Sequence, residues 1–235
     1  MSSSLPEGPA APIPPPRAAV LSWSGGKDSS LALWEARRLG WGVRWLLTTV
    51  TEAYGRVSMH GVREELLDEQ AQGVGVEVRK VRIPSPCTNA EYEARMGRAV
   101  RELVAEGADA FVFGDLFLAD VRAYREAHLR DLGVAALFPL WGRDTAALAR
   151  TFVAAGFRAY VVCLDPRRLD RALAGAPFDD AFLDRLPSDV DPCGERGEFH
   201  TFVWDGPIFR QPLVVATGEV VERDGFVFCD LVAGP

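Results

Sequence analysis

The chain has 235 residues, of which 48% are hydrophobic and 25% charged, a composition typical of a globular protein with a sizeable core. Its net charge of -7 and sequence pI of about 5.1 argue against binding of nucleic acid through a broad basic surface. The cysteines form no CxxC pair and no zinc-like cluster with histidine. Because there is no secretory signal and no apolar run of membrane-spanning length, we expect a cytoplasmic protein with reduced thiols and no membrane contact.

Residues 1–17 differ from the rest of the chain, because they are rich in proline, alanine and serine and show no hydrophobic periodicity. This composition predicts a disordered or polyproline-like leader. A partner-binding segment is the alternative, and no feature of the sequence supports it.

From residue 18 onward, short runs of β-forming residues alternate with amphipathic helical stretches. A buried strand at 18–23 passes through a glycine-rich turn into a helix that ends at Gly40. A second strand at 43–50 and a helix at 62–72 follow, and a third strand at 76–83 is stopped by prolines.

The clearest helix of the chain follows the third strand. Thr88 and Glu91 have the spacing of a capping box, and apolar residues recur on one face until the helix ends near Gly107. The elements expected after it are a strand at 110–113, a polar helix at 119–130 and a strand at 134–138.

Strands that alternate with helices predict an α/β fold with a parallel sheet, and ligands of such sheets collect beyond the carboxyl ends of the strands. Polar motifs follow Trp23, Val50 and Phe113, each at the end of an expected strand. Their convergence predicts a ligand site at one edge of a parallel-sheet domain that spans residues 18–143.

The pattern changes after residue 143. A helix at 145–155 and a strand at 159–164 continue the alternation, but from Pro187 the chain is rich in loops and strands. The strand-like runs lie at 198–204, 213–216, 219–222 and 226–232. We therefore predict a smaller α+β domain over 144–235, which would carry the substrate.

The turn after the first strand has the features of a phosphate-binding loop. It consists of Ser24, Gly25, Gly26, Lys27, Asp28 and Ser29. The glycines let the backbone approach an anion, the hydroxyls donate hydrogen bonds, and the positive end of the next helix favours negative charge. The lysine adds a cation, and the aspartate is expected to hold Mg²⁺. The Walker pattern is not met, and the flanking strand and helix disfavour a generic glycine-rich turn.

This loop resembles the PP-loop of the ATP pyrophosphatase superfamily. The resemblance implies a Rossmann-like, nucleotide-binding domain in which ATP is cleaved between its α- and β-phosphates. A substrate oxygen then takes AMP, and the loop holds the leaving pyrophosphate. Such chemistry depends on positioning and charge neutralisation more than on covalent help from the protein.

Three longer motifs are similar to the diphthine–ammonia ligase family, and in particular to its bacterial relatives. They are VSMHGVR at 57–63, FGDLFLADVRAYRE at 113–126 and DPCGERGEFHTF at 191–202, of which the last is the most specific. In that family a carboxylate of diphthine on elongation factor 2 is adenylated, and ammonia displaces AMP. The resemblance implies an amidoligase that uses ATP, Mg²⁺, ammonia or another amine, and a carboxylate-bearing protein side chain or small molecule whose identity stays open.

The candidate site residues fall into three groups. Beyond the loop, the ATP contacts expected are Gly114 and Asp115. The substrate contacts expected are His60, Arg122, Arg125 and Glu126. The catalytic residues expected are Lys27, Asp28, Glu195, Glu198 and His200. The structural alternatives are a helix cap for the aspartate of the first group, a solvated helix face for the charges of the second, and mere exposure for the last histidine.

Two other functions remain open at this point. A tRNA-modifying enzyme would need a positive tract along one face, which an acidic chain does not favour. A nucleotide sensor would bind ATP without cleaving it. Thiol transfer by Cys193 is disfavoured because the residue has no partner cysteine nearby in sequence. A homodimer is compatible with the sequence.

Overall fold

The computed structural model describes residues 18–234, so the leader predicted at 1–17 lies outside the described residues. The strands of the N-terminal part are β1 (Ala18–Ser22), β2 (Gly42–Thr51), β3 (Arg56–Val57), β4 (Glu77–Ile83), β5 (Ala110–Val112) and β6 (Ala135–Leu137). Its helices are α1 (Lys27–Arg38), α2 (Glu64–Val74), α3 (Asn89–Ala105) and α4 (Ala119–Arg130). The C-terminal part contains α5 (Thr145–Ala154), β7 (Arg158–Leu164), a short 3₁₀ helix (Arg171–Leu173), α6 (Asp180–Leu183), β8 (Phe199–Asp205), β9 (Val215–Arg223) and β10 (Phe226–Ala233).

The first sheet has the strand order β4-β2-β1-β5-β6, and these strands are all parallel. The α/β fold with a parallel sheet is therefore confirmed. The short strand β3 pairs antiparallel with the last residues of β2, beyond the part of β2 that pairs with β1. No strand was predicted there, because two residues are too few to show an alternating pattern.

Each face of this sheet has its own hydrophobic core, as the alternation of side chains along a strand requires. Ala19 and Leu21 of β1 belong to the core under α1 and α2, whereas Val20 belongs to the core under α3 and α4. The first core continues into the C-terminal part, where it includes Phe152 and Phe199. The two parts of the chain thus share one core, and the domain boundary proposed near residue 143 stays a prediction.

The starts of helices α3 and α1 can be compared with the sequence predictions. The capping box of α3 is confirmed, since Glu91 N–H donates to Thr88 Oγ1 at 3.2 Å and Thr88 N–H donates to the Glu91 carboxylate at 3.1 Å. Helix α1 begins at Lys27, inside the phosphate loop, whereas the sequence predicted a helix that follows the glycine-rich turn. The phosphate loop forms its first turn, in which Ser30 N–H donates to Gly26 O at 3.0 Å.

The second sheet is antiparallel, with the order β8-β7-β10-β9, so the predicted α+β character of the C-terminal part is confirmed. The runs predicted at 213–216 and 219–222 belong to a single strand, β9. A two-residue turn joins β9 to β10, and its residues Asp224 and Gly225 have φ values of 51° and 81°. None of the helices within residues 18–234 is both long and apolar enough to cross a membrane.

Candidate functional site

A cavity of about 350 Å³ lies at the carboxyl ends of β1, β2 and β5, where the sequence predicted a ligand site. Four segments that are distant in sequence meet there. They are the phosphate loop, residues 57–60, Gly114 with Asp115, and residues 194–201. We call this space the phosphate cavity.

The glycines of the loop are required by its shape. Gly25 has a φ of +77°, and a Cβ added there would lie 2.6 Å from Gln70 Oε1. A Cβ on Gly26 would lie 3.0 Å from His60 Cε1 and 3.0 Å from Thr201 O. Gly114 allows a similar close approach, because its Cβ would lie 2.9 Å from the backbone carbon of Asp28. Side chains at these positions would push the loop away from its neighbours.

Gln70, which the sequence analysis did not single out, holds the loop from behind. Its side chain is fully buried, and its amide nitrogen donates to Gly25 O at 2.9 Å and to Val203 O at 2.6 Å. Its oxygen accepts from Trp23 Nε1 at 2.9 Å. The sequence signal for this role is that Gln70 is a polar residue on the apolar face of α2, because a buried amide needs hydrogen-bond partners.

Strand β8 of the C-terminal part also fixes the loop. Val203 N–H donates to Gly25 O at 2.9 Å, and Lys27 N–H donates to Thr201 Oγ1 at 3.0 Å. Thr201 was not predicted as a site residue either, because its partner is 174 positions away and no local pattern reveals such a contact. The loop geometry therefore depends on both parts of the chain.

Lys27 is only 4% exposed, and its ammonium lies 2.9 Å from the Asp28 carboxylate and donates to the Cys193 carbonyl. Burial lowers the pKa of Lys27, but the attraction and hydrogen bond of Asp28, together with smaller effects of Cys193 and Glu195, outweigh it, so the net shift is upward and the lysine stays charged. Burial also raises the pKa of the Cys193 thiol, which keeps the thiol neutral. A neutral, buried thiol argues against thiol transfer.

Glu195 and Glu198, both predicted to be catalytic, occupy different environments. Glu195 lines the phosphate cavity and accepts a hydrogen bond from Leu116 N–H at 2.8 Å. Burial raises its pKa to about 7, and the Asp28 and Asp115 carboxylates add to this effect. Glu198 is 3% exposed, is not part of the cavity lining, and accepts from the N–H groups of Asp191 and Arg196. The structure thus gives Glu198 a role in shaping its loop.

His60 and His200 both line the phosphate cavity, with ring centroids 4.5 Å apart. Loss of hydration lowers the pKa of His60 to about 4, although a contact with Thr201 O opposes the shift. Loss of hydration also holds the pKa of His200 well below its ordinary value, with smaller effects from His60 and Lys27. Both imidazoles are therefore neutral near pH 7.

The charged residues of α4 divide into two groups. Arg125 lines the phosphate cavity, where its Nε lies 2.7 Å from the Asp115 carboxylate. Arg122 and Glu126 form an ion pair with each other at 2.7 Å outside the cavity lining, and the Arg122 guanidinium also lies 4.7 Å from the ring centroid of Trp141. Of the α4 residues predicted to bind substrate, the structure brings Arg125 to the site.

Asp28 is the residue expected to hold Mg²⁺. Within residues 18–234 no three His, Cys, Asp or Glu side chains form a group able to hold a metal ion. Mg²⁺ is commonly held by one or two carboxylates together with substrate phosphates and water. Asp28, a residue of the loop, suits that arrangement because it lines the cavity. A Mg²⁺ site built from protein ligands alone is not present in the described part of the chain.

Comparison with known proteins places these residues in a family. Residues 16–136 match the family model of the diphthamide synthase N-terminal domain, and residues 144–231 match that of the diphthamide synthase C-terminal domain. The motifs that were similar to diphthine–ammonia ligases at 57–63, 113–126 and 191–202 all lie within these two matches.

Three diphthine–ammonia ligases are among the similar curated proteins. That of Schizosaccharomyces pombe is 32% identical over 104 residues, which are 43% of this chain and 17% of that protein. That of Bos taurus is 30% identical over 121 residues (47% of this chain, 44% of that protein), and that of Danio rerio is 33% identical over 94 residues (36% of each). The chain spans less than half the length of each of these relatives in the matched region. The two family matches together cover most of its residues, and the chain therefore belongs to the diphthamide synthase family.

Proposed function

We propose that this protein is an ATP-dependent ligase that adenylates a carboxylate, releases pyrophosphate, and lets ammonia or another amine displace AMP. The observation that carries the proposal is the phosphate cavity itself. A buried cation and a glycine-rich helix start lie on one wall, and Glu195, with a pKa of about 7, lies on the other. The first wall suits a leaving pyrophosphate, and the second suits proton transfer from an attacking amine.

The loop would hold the β- and γ-phosphates. Lys27 supplies the positive charge, and its burial strengthens the attraction between that charge and a phosphate because little water screens it. The hydroxyls of Ser24 and Ser29 line the cavity 3.3 Å apart. Ser29 Oγ donates to Gly26 O at 3.0 Å, which leaves the Ser24 hydroxyl to donate to a phosphate oxygen. Asp28 would hold Mg²⁺, which neutralises phosphate charge when it is bound.

An adjoining cavity of about 290 Å³ suits the adenosine part of ATP. Ser22, Leu47 and Met96 line both this cavity and the phosphate cavity, and the remaining lining is largely apolar. Thr48, next to Leu47, is 2% exposed, lines the phosphate cavity, and has a hydroxyl without a hydrogen-bond partner among the described residues. An unsatisfied hydroxyl at the junction favours a polar ligand group there, such as the ribose.

The reaction proceeds in two displacements. A carboxylate oxygen of the acceptor forms a bond to the α-phosphorus, the bond between that phosphorus and the bridging oxygen breaks, and pyrophosphate leaves. The amine nitrogen then attacks the acyl carbon, AMP leaves, and Glu195 accepts the proton that the nitrogen loses. A carboxylate with a pKa near the working pH is well suited to that step.

The test is to identify the products formed from ATP. The full chain is incubated with Mg²⁺, ATP, ammonium and a panel of carboxylates that includes diphthine, the acceptor named by the similar ligases. AMP and pyrophosphate that form only with a carboxylate present support the proposal, and Lys27→Ala serves as the inactive control. ADP and phosphate would contradict it, tight ATP binding without cleavage would indicate a sensor, and saturable tRNA binding would indicate a tRNA-modifying enzyme.

A further inference from the structure

A third cavity, of about 320 Å³, lies between the segment at 51–61 and the β9–β10 hairpin. We call it the side cavity. Its lining is mostly apolar and includes Val57, Phe226 and Phe228, and Cys163 of β7 lies in its wall. None of the steps proposed so far uses this space.

The side cavity adjoins the phosphate cavity. Val57, Ser58, Met59 and His200 line both of them. His200 in turn lies 4.5 Å from His60, centroid to centroid, and His60 lines the phosphate cavity close to Gly26. A group that extends from the side cavity past His200 therefore arrives beside the phosphate loop.

The mouth of the side cavity presents two large apolar side chains to solvent. Met59 is 71% exposed and Tyr54 is 54% exposed. Met59 also has a φ of 67°, in the left-handed region that non-glycine residues rarely adopt. Asp224 is the other such residue among those described, and its φ follows from the hairpin turn with Gly225. Met59 also lies in a turn, in which His60 N–H donates to Ser58 O at 2.9 Å and Gly61 N–H donates to Val57 O at 3.0 Å, so its φ follows from that turn.

The cavity also carries positive charge that is not fully neutralised. Arg56 shares the Asp230 carboxylate with Arg63, so two guanidinium groups face one carboxylate. Arg223, at the rim, has no carboxylate partner in the described part of the chain, and its guanidinium lies 5.4 Å from the ring centroid of Tyr54. Asp224, exposed beside it at the turn, also lines the cavity, so one carboxylate stands at the rim with the arginines Arg56 and Arg223. An apolar chamber with a free arginine at its mouth favours an amphipathic anion.

We propose that the side cavity binds the acceptor, and that the acceptor is a carboxylic acid with an apolar body and a second anionic group. The second anionic group pairs with Arg223 at the rim, and the apolar body lies against Val57, Phe226 and Phe228. The reacting carboxylate passes His200 and forms its bond to the α-phosphorus in the phosphate cavity, as pyrophosphate leaves. This inference rests on the proposed function, because it assigns the acceptor of that reaction.

The first test measures binding without turnover. Straight-chain dicarboxylates from succinate to suberate, and the matching monocarboxylates, are titrated into the full chain by calorimetry. We expect a dicarboxylate to bind more tightly than the matching monocarboxylate. Arg223→Gln should raise the Kd for the dicarboxylate by about tenfold or more. Arg44→Gln is the matched control, since Arg44 is also exposed, lies over a tryptophan ring and is remote from the cavities. Equal effects of the two variants, or none, would overturn the proposal.

The second test closes the side cavity from its mouth. Tyr54 lines the side cavity but not the phosphate cavity, so Tyr54→Cys coupled to a bulky maleimide blocks one space only. We expect the labelled variant to lose dicarboxylate binding and to keep ATP binding, with the wild type treated in the same way as control for Cys87. Loss of neither ligand, or of both, would overturn the assignment. Because both tests read binding, they remain decisive even where product analysis fails to find AMP.

Discussion

The phosphate loop and the segment at 191–201 line the same cavity and are in contact through Lys27, but they are held in place by different means. The loop is fixed from outside by Gln70, Thr201 and Val203. The segment at 191–201 has more bonds of its own, because Asp191 accepts from Cys193 N–H at 2.8 Å and Glu198 accepts from the N–H groups of Asp191 and Arg196. Thr145 Oγ1 also donates to the Asp191 carboxylate at 2.9 Å, and Lys27 donates to the Cys193 carbonyl.

The difference explains which acidic residues are available for chemistry. The carboxylates of Asp191 and Glu198 accept from backbone N–H groups of their own segment, and Asp191 also accepts from Thr145 Oγ1. Glu195 instead lines the cavity and accepts one hydrogen bond, from Leu116 N–H. The carboxylates of Asp191 and Glu198 thus stabilise the segment that places Glu195 in the cavity. The following predictions test this division between supporting and reacting groups.

The largest effect is expected from Glu195→Gln, which keeps the shape of the side chain and removes the base. We expect kcat for AMP formation to fall by about 10² to 10⁴, the usual range for loss of general base catalysis. ATP affinity should change little, because the proposed contacts to the phosphates come from the loop and not from Glu195. Steady-state kinetics and ATP titration check both values, with Glu102→Gln on the exposed surface of α3 as control. An unchanged kcat would remove Glu195 from the mechanism.

Lys27→Ala is expected to act on binding. Loss of the buried cation should raise the Kd for ATP by about 10- to 100-fold, because hydrogen bonds to charged groups are worth about 1.5–3 kcal/mol. The control is Lys80→Ala, since Lys80 forms ion pairs with Glu64 and Asp68 away from the cavity. Thermal unfolding of both variants shows whether the fold is retained. Equal Kd values in a folded Lys27→Ala variant would contradict the loop assignment.

The pH dependence of kcat/KM for the amine, calculated on its unprotonated form, is expected to report Glu195. Its pKa is raised to about 7 in the folded protein, so the reactive carboxylate form is lost as the pH falls through that value. Between about pH 8 and about pH 6 this ionisation lowers kcat/KM by about tenfold. His60, with a pKa of about 4, does not titrate in this range. The acidic limb should be absent in Glu195→Gln, and its persistence there would assign the limb to another group.

Gln70→Leu is expected to have the smallest effect on catalysis and to act mainly on stability. It leaves the Trp23 indole N–H and the Gly25 and Val203 carbonyls with fewer partners in a buried position. The free energy of unfolding should fall by about 1–3 kcal/mol, the cost of unsatisfied buried groups. Denaturant titration measures it, and Gln72→Leu on the exposed side of α2 is the control. Equal stability of the two variants would show that Gln70 does not hold the loop.

The sequence predicted what is encoded locally. The phosphate loop, the capping box at Thr88 and the alternation of strands and helices all depend on residues close together in the chain, so their patterns are visible without a structure. The resemblance of the 191–202 motif to a known family also predicted that residues of this segment contribute to the site. Gly114 and Asp115 line the cavity because parallel strands end at a common edge, and their contact with ATP stays a prediction.

The supporting contacts were not predictable in the same way. Thr201 reaches Lys27 across 174 positions, and the roles of Glu195 and Glu198 diverge although they are three residues apart in one motif. Which of two nearby carboxylates faces the cavity depends on the path of the backbone. The core shared by both parts of the chain was missed for a similar reason, since hydrophobic patterns show which residues are buried but not against what.

The arrangement of ATP between the two walls is the central claim, and a crystal structure with Mg²⁺ and α,β-methylene-ATP tests it most directly. We predict the β- and γ-phosphates on the loop, within hydrogen-bond distance of Lys27 and the hydroxyl of Ser24, and the α-phosphate turned toward Glu195 and His200. A nucleotide bound in the reverse direction, with its γ-phosphate nearest Glu195, would contradict the account.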